Sequence, residues 1–277
     1  RTRETAALAQ KLGVPTVGVV GSRDGPLAAS ADVVLHRPVA LRGTTPNWSP
    51  RVYLNAAEYM AGLVALYALG LHVGCLRGTM SQEGAVDWRD KSEQGSDDVG
   101  AAAQAADPVM RDLARSMDGV DTLWVLGAGP RRGTADYSAA KFHEQVPLNG
   151  VSQDLEEWAH LQYFLTLGWG AGAVVLVLAP KGRSTDRAAE ILTGIRQAGG
   201  RAILVTDDPQ LLGQNDAEAV VALPDARDEL LSPLTFHVPA QLLALHLARR
   251  RSVPEIPLRR TDDRWLIRGG DLRTEFA

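Results

Sequence analysis

The chain has 277 residues, 45% hydrophobic and 22% charged, which leaves room for one large or two moderate globular domains. Its net charge of −4 lacks the basic surplus of a nucleic-acid binder, and its one cysteine, Cys75, excludes an internal disulfide and suits a reducing cytoplasm. The opening residues do not read as a secretory signal, and the longest apolar stretch, 61–73, reads as too short and too interrupted to span a bilayer.

Residues 1–13 read as a helix already under way, stopped by Gly13. A strand over 15–20 follows, then a Gly/Asp/Pro turn, a short helical piece at 27–30 and a strand over 32–35. Residues 36–51, with Pro38, Gly43, Pro46 and Pro50, read as a loop. Leu54, Met60, Leu63, Leu66 and Leu69 predict a long core or dimer helix over 52–71. The polar, acidic residues 78–106 read as a linker, and a helix over 108–117 leads into a second domain. The expected organisation is therefore 1–77, a linker and helix over 78–117, and 118–277.

The second domain opens on the stretch that organises the chain. Residues 123–126, Leu-Trp-Val-Leu, form a run of the length a buried strand needs. Gly127, Gly129 and Gly133 punctuate a turn, and Thr134 stands where it can cap the next helix. A glycine turn entering a helix N-terminus exposes unpaired N–H groups, a common seat for phosphate. That helix carries Lys141 and Glu144, three apart on neighbouring faces, and His160 follows sixteen residues after Glu144. Together these suit an acid–base site for a phosphorylated substrate; a surface Lys/Glu ion pair and a structural histidine are the competing readings. A dinucleotide site would want Gly-x-Gly-x-x-Gly and an acidic residue closing the next strand. Here the third glycine comes one place late, and residues 156–158 read as helix or loop.

Beyond an apolar segment at 163–170 come a strand over 173–178 and a second strand-to-helix turn, with Ser184 or Thr185 as N-cap. Its helix runs to Ala198, with Gly199 and Gly200 as the stop. Strands over 201–206 and 219–223 and a long helix over 233–251 complete the set. Alternating strands and helices predict doubly wound parallel sheets with helices on both faces. The order helix, glycine, strand, turn, short helix, strand at 5–35 recurs loosely at 186–223, a weak internal repeat. The six histidines are scattered and Cys75 stands alone, so no metal site and no cofactor are expected.

The pattern Gly-x-Gly-Pro-x-x-Gly-x-Ala-x-x-x-Ala-x-Lys-x-x-Glu, the histidine sixteen residues on, and Leu-Ser-Pro-Leu-Thr-Phe-His-Val-Pro-Ala-Gln-Leu-Leu-Ala-Leu-His at 231–246 resemble the sugar isomerase (SIS) domain family. The likeness is to the isomerase half of glucosamine-6-phosphate synthase and to fructosamine-6-phosphate deglycases. It implies two tandem flavodoxin-like, three-layer SIS domains, the first incomplete at its start, and a homodimer that binds a phosphorylated sugar. By position, Glu144 matches the family's base that moves a proton between C1 and C2. His160 matches the ring-opening residue donated across the dimer interface, and Lys141 a lysine near the substrate. Thr2 and Thr5 match the last two threonines of the family's phosphate loop, whose serines are absent, so a longer natural chain is expected. Ser49 and Arg51 stand where the family has a Ser-Thr-Lys that closes on the substrate; a surface loop is the competing reading. The Ser184–Thr185 turn corresponds to the phosphate turn of the first domain, a role often degenerate in the second, where capping is the simpler role.

Aldose–ketose chemistry needs a carboxylate base with a raised pKa, for which Glu144 near Phe142 is placed, and a cation such as Lys141 for developing oxyanion charge. Glu156 and Glu157 are available to orient His160; of His237 and His246 on the last helix, the resemblance implies that one lines the site, and packing is the competing reading. Three functions follow: an isomerase or deglycase acting at C1–C2, a non-catalytic sugar-phosphate module, and an aminotransferase. The family's synthase uses a tail lysine as a Schiff base. The tail at 258–277 carries arginines and no lysine, which argues against the third.

Overall fold

A computed structural model describes residues 2–38, 56–213 and 216–253. The chain divides into two units, 1–92 and 93–277.

The first unit holds helix α1 (Thr2–Lys11), strand β1 (Val17–Val20), a 3-10 turn at Ala28–Ser30, strand β2 (Val33–His36) and helix α2 (Ala56–Leu76). β1 and β2 pair in parallel, Val17 opposite Val33 and Val20 opposite His36. Thr16 ties the strands at their entry: its N–H and its hydroxyl both donate to Asp32 Oδ2 at 2.8 Å, which holds the Asp32 carboxyl below its ordinary pKa. α2 runs five residues beyond the predicted end at 71, because Gly70 and Gly74 are tolerated inside it. An 18-residue stretch within Ala57–Leu76 reaches a mean hydropathy of 1.7, so by length and composition α2 is long and apolar enough to cross a membrane, where the sequence suggests too short a stretch.

Helix α3 (Gln82–Asp97) and helix α4 (Val99–Arg115) replace the predicted linker. α3 was hidden by its polar composition; its start is marked by Ser81, whose hydroxyl accepts from the Gly84 N–H at 3.0 Å. α4 begins well before Pro108, which lies exposed inside it. Ala102, Ala106, Met110 and Leu113 recur at helical spacing and are all buried.

The second unit is built on five parallel strands in the order β4-β3-β5-β6-β7. β3 (Thr122–Gly127) leads into helix α5 (Pro130–Gln145), edge strand β4 (Asn149–Gln153), the short α6 (Leu155–Glu157), a π-turn over Trp158–Gln162 and helix α7 (Tyr163–Trp169). Then come β5 (Val174–Leu178), α8 (Thr185–Gln197), β6 (Arg201–Thr206), α9 (Pro209–Leu212), β7 (Ala219–Ala222), α10 (Pro233–Phe236) and α11 (Val238–Arg250). The predicted helix over 233–251 is broken at His237, because Pro239 brings no N–H to the turn. β4 was missed: Asn, Gly, Ser and Gln make a poor strand composition. Gly150 holds it in place, since a Cβ there would lie 2.3 Å from the Ala139 carbonyl oxygen of α5.

Strand residues alternate between two cores. Leu123, Val125, Leu176, Ile203 and Val205 face the layer of α4, α5 and α11, with Met110, Phe142 and Leu243. Trp124, Leu126, Val175, Val177 and Leu204 face the opposite layer, with Leu155, Trp158 and Ile191. Both faces are covered, as an all-parallel sheet requires. The fold class is α/β with parallel sheets, as predicted.

Candidate functional site

Helix α5 carries two of the predicted site residues. Lys141 is almost fully buried, its side chain 3% exposed, while that of Glu144 is 42% exposed; Nζ donates to Glu144 Oε2 at 2.5 Å. The Lys141 ammonium also sits 4.7 Å from the centre of the Tyr137 ring, one turn earlier, where the ring face attracts the cation. Gln241 on α11 donates to the Tyr137 hydroxyl at 2.6 Å. A buried cation thus rests between an aromatic face and a carboxylate that reaches solvent. Glu144 does not lie in the enclosed apolar setting the sequence suggested; Phe142 points into the core and Glu144 away from it.

His160 lies within the π-turn, its side chain 65% exposed, and its Nε2 is 3.2 Å from Glu156 Oε1. Glu156 also accepts from Arg187 Nε at 2.7 Å, and that guanidinium holds the Glu156 carboxyl below its ordinary range, with His160 adding to the effect. Of the two predicted orienting carboxylates, Glu156 makes the contact. The π-turn belongs to the layer of Trp158 and α8, whereas α5 packs on the other face of the sheet. Within the chain, Glu144 and His160 are therefore not brought together.

Thr2 and Thr5 are exposed on α1 of the first unit, and Ser49 and Arg51 lie outside the described residues, as does the tail after 253. His237 is buried, with Nδ1 3.0 Å from the Pro233 carbonyl, and burial pushes its pKa down to about 4. His246 Nε2 meets Asp107 Oδ1 at 2.8 Å and ties α11 to α4. Both are buried, the setting that a packing role requires. No group of three or more His, Cys, Asp or Glu suited to a metal occurs among the described residues.

The glycine turn after β3 is a separate feature. A Cβ on Gly127 would lie 2.4 Å from the Arg131 carbonyl oxygen, so only glycine lets the chain fold back here. Gly129, with φ +55°, is the N-cap of α5, which starts at Pro130. Gly133 and Thr134 therefore lie inside the helix rather than at its entrance. β3 and β5 are neighbours whose outgoing connections diverge, to β4 on one side and β6 on the other, which is a topological switch point. A cleft of about 490 Å³ opens there, between Gly129, Arg131, Arg183, Ser184, Asp228 and Glu229. Ser184 makes no side-chain cap; its Oγ accepts from Arg131 Nη2 at 3.1 Å. Thr185 is buried, donating to Asp208 Oδ2 at 2.8 Å and accepting from the Gly182 N–H at 3.2 Å. Arg131, Arg183 and Glu229 were not singled out in the sequence; the paired arginines after Gly129 were the available signal.

No family model matches the sequence. The chain is 26% identical over 238 residues to an isomerising glutamine–fructose-6-phosphate aminotransferase of Rhizobium meliloti strain 1021, covering 85% of this chain and 37% of that protein. It thus spans a little over a third of the length of the curated relatives it matches. Its structure matches the C-terminal domain of glucosamine-fructose-6-phosphate aminotransferase from Francisella tularensis with a TM-score of 0.77, at 17% identity, over 91% of this chain and 68% of that one. A candidate phosphosugar isomerase from Clostridium difficile 630 matches with a TM-score of 0.74, at 16% identity, over the same 91% and 68%. The chain shares the fold of these SIS-type proteins, in keeping with the resemblance read from its residues.

Proposed function

We propose that this chain binds a phosphorylated ketose or ketosamine and moves a proton between its C1 and C2, as an isomerase or deglycase acting in a cytoplasmic homodimer. The observation that carries the reading is the Lys141–Glu144 pair on α5: a buried cation holding a solvent-reaching carboxylate at 2.5 Å. A carboxylate at this reach can take a carbon-bound proton, and the ammonium beside it offsets negative charge on the enediolate oxygens. Names of matched proteins, with their fructose-6-phosphate and phosphosugar substrates, support the substrate class.

His160, on the opposite face of the sheet, opens the sugar ring for a second subunit, with Glu156 fixing one ring nitrogen. The exposed apolar side chains Leu161, Phe164, Leu165, Leu167 and Trp169 beside it support an interface there. By resemblance, Thr2 and Thr5 are assigned to the phosphate, and Ser49 and Arg51 to the segment that closes on the substrate. A non-catalytic sugar-phosphate sensor is the second reading, favoured by the exposure of Glu144, since a general base gains from an enclosed apolar setting.

Glu144→Gln keeps an acceptor for Lys141 and removes the base. In heavy water with a panel of hexose phosphates, the native protein exchanges the C2 proton and the variant loses about 10²–10⁴ in rate, with sugar-phosphate binding retained. Absence of exchange with every hexose phosphate, or full exchange in the variant, overturns the enzyme reading.

A further inference from the structure

The switch-point cleft lies at the other end of α5 from the proposed base. Fifteen residues separate Gly129 from Glu144, or about 22 Å along the helix axis. Nothing in the proton-transfer reading uses it.

The cleft is built around a cation. The Arg131 side chain is 1% exposed. Its Nη2 donates to Glu229 Oε1 at 2.7 Å and to Ser184 Oγ at 3.1 Å, while Nε and Nη1 are buried with no hydrogen-bond partner. A buried guanidinium with two nitrogens left undonated is unfavourable until a further acceptor reaches it. The rest of the wall adds donors: the Arg183 guanidinium, the Ser184 hydroxyl proton, and the N-termini of α5 and α8, which both open at this point. The opposing groups are the carboxylates of Asp228 and Glu229. Asp228 is committed to its own turn, accepting from the Leu230 N–H at 2.8 Å. Glu229 alone is paired with the buried arginine.

We propose that this cleft is a second ligand site, separate from the proton-transfer residues, that takes the phosphate group of a small phosphorylated molecule, with Glu229 as the internal carboxylate the phosphate displaces from Arg131. A tetrahedral dianion meets the fork of Arg131, the charge of Arg183 and the hydroxyl of Ser184 together, which one carboxylate does not. Glu229, three-quarters buried at the cleft edge, competes for the same guanidinium and lowers the affinity of the resting site.

The test is calorimetric titration of the full chain with inorganic phosphate. Glu229→Gln retains an oxygen for Arg131 and removes the competing charge, so it tightens phosphate binding about tenfold over the native protein. Arg183→Ala combined with Ser184→Ala, at the rim and without a core role, weakens it by a similar factor in the Glu229→Gln background. Glu144→Gln leaves it unchanged. Failure of phosphate to bind both the native protein and Glu229→Gln overturns the proposal, as does weaker binding by Glu229→Gln. Binding unaffected by the Arg183/Ser184 pair places the phosphate elsewhere and also overturns it. C2 exchange is read in a separate assay, so loss of the proton-transfer reading leaves these outcomes untouched.

Discussion

Helix α1 with β1 and β2, and helix α8 with β6 and β7, follow one plan in the two units. In each, a helix ends before a glycine, a strand follows, a short helical turn crosses over, and a parallel strand returns. The spacing agrees as well: Val17 pairs with Val33 and Ile203 with Ala219, sixteen positions apart in both cases. Burial differs. α8 buries Thr185, Ala188, Ile191, Leu192 and Ile195, and α1 buries none of its residues. β6 lies between β5 and β7 under two helical layers, whereas β1 pairs with β2 alone among the described residues. Local sequence sets the element and its register; a core requires the neighbouring strand and layers, which local sequence does not supply.

Replacing Leu204 tests the buried side of the contrast. It is fully buried in the middle of β6 among Val175, Val177 and Ile191. Leu204→Ala is expected to cost roughly 2–5 kcal/mol of unfolding free energy by transfer and cavity terms. A loss under about 1 kcal/mol, read from the midpoint of a urea transition, would break the comparison by showing a core able to collapse around the gap.

Acid sharpens it, because the second unit carries a buried histidine. His237 is packed against the edge of the Tyr137 ring and its pKa is pushed down by burial to about 4. In the unfolded chain an imidazole titrates near 6.5, so between 6.5 and 4 the unfolded state binds the extra proton. The contribution is present in full above pH 6.5 and is lost as pH falls towards 4, by about 3 kcal/mol. His237→Asn keeps a donor for the Pro233 carbonyl and removes the titration. The difference in stability between native protein and variant should therefore shrink across that window; a constant difference from pH 7 to 4 would mean His237 is hydrated in the native state.

Much of the second unit was legible because β3, β5 and β6 are apolar runs bounded by glycine or proline turns, and burial on both faces demands that composition. β4 was not, since an edge strand of Asn149–Gln153 needs little apolar surface and owes its place to Gly150. α3 was not, because a polar helix shows no stripe. At the candidate site, Lys141 and Glu144 were legible from their spacing along a helix. The fifteen-residue separation along one helix already sets Glu144 far from the glycine turn. The layer that holds His160 depends on the edge position of β4, which spacing in the chain does not encode. The pairing of Arg131 with Glu229 joins residues 98 apart, and no local pattern announces it.

The smallest effect gives the cleanest check on the first unit. Val17 occupies in β1 the register position that Ile203 holds in β6, yet it is 55% exposed. An exposed strand valine contributes little packing, so Val17→Ala should change stability by less than about 0.5 kcal/mol. The same truncation under a full layer removes buried methyl groups and costs well over about 1 kcal/mol. A loss of that size at Val17 would mean its side chain is covered in solution. The two halves of the repeat would then differ less in packing than their exposures indicate, and the exposed face of β1 would have to be counted as an interface.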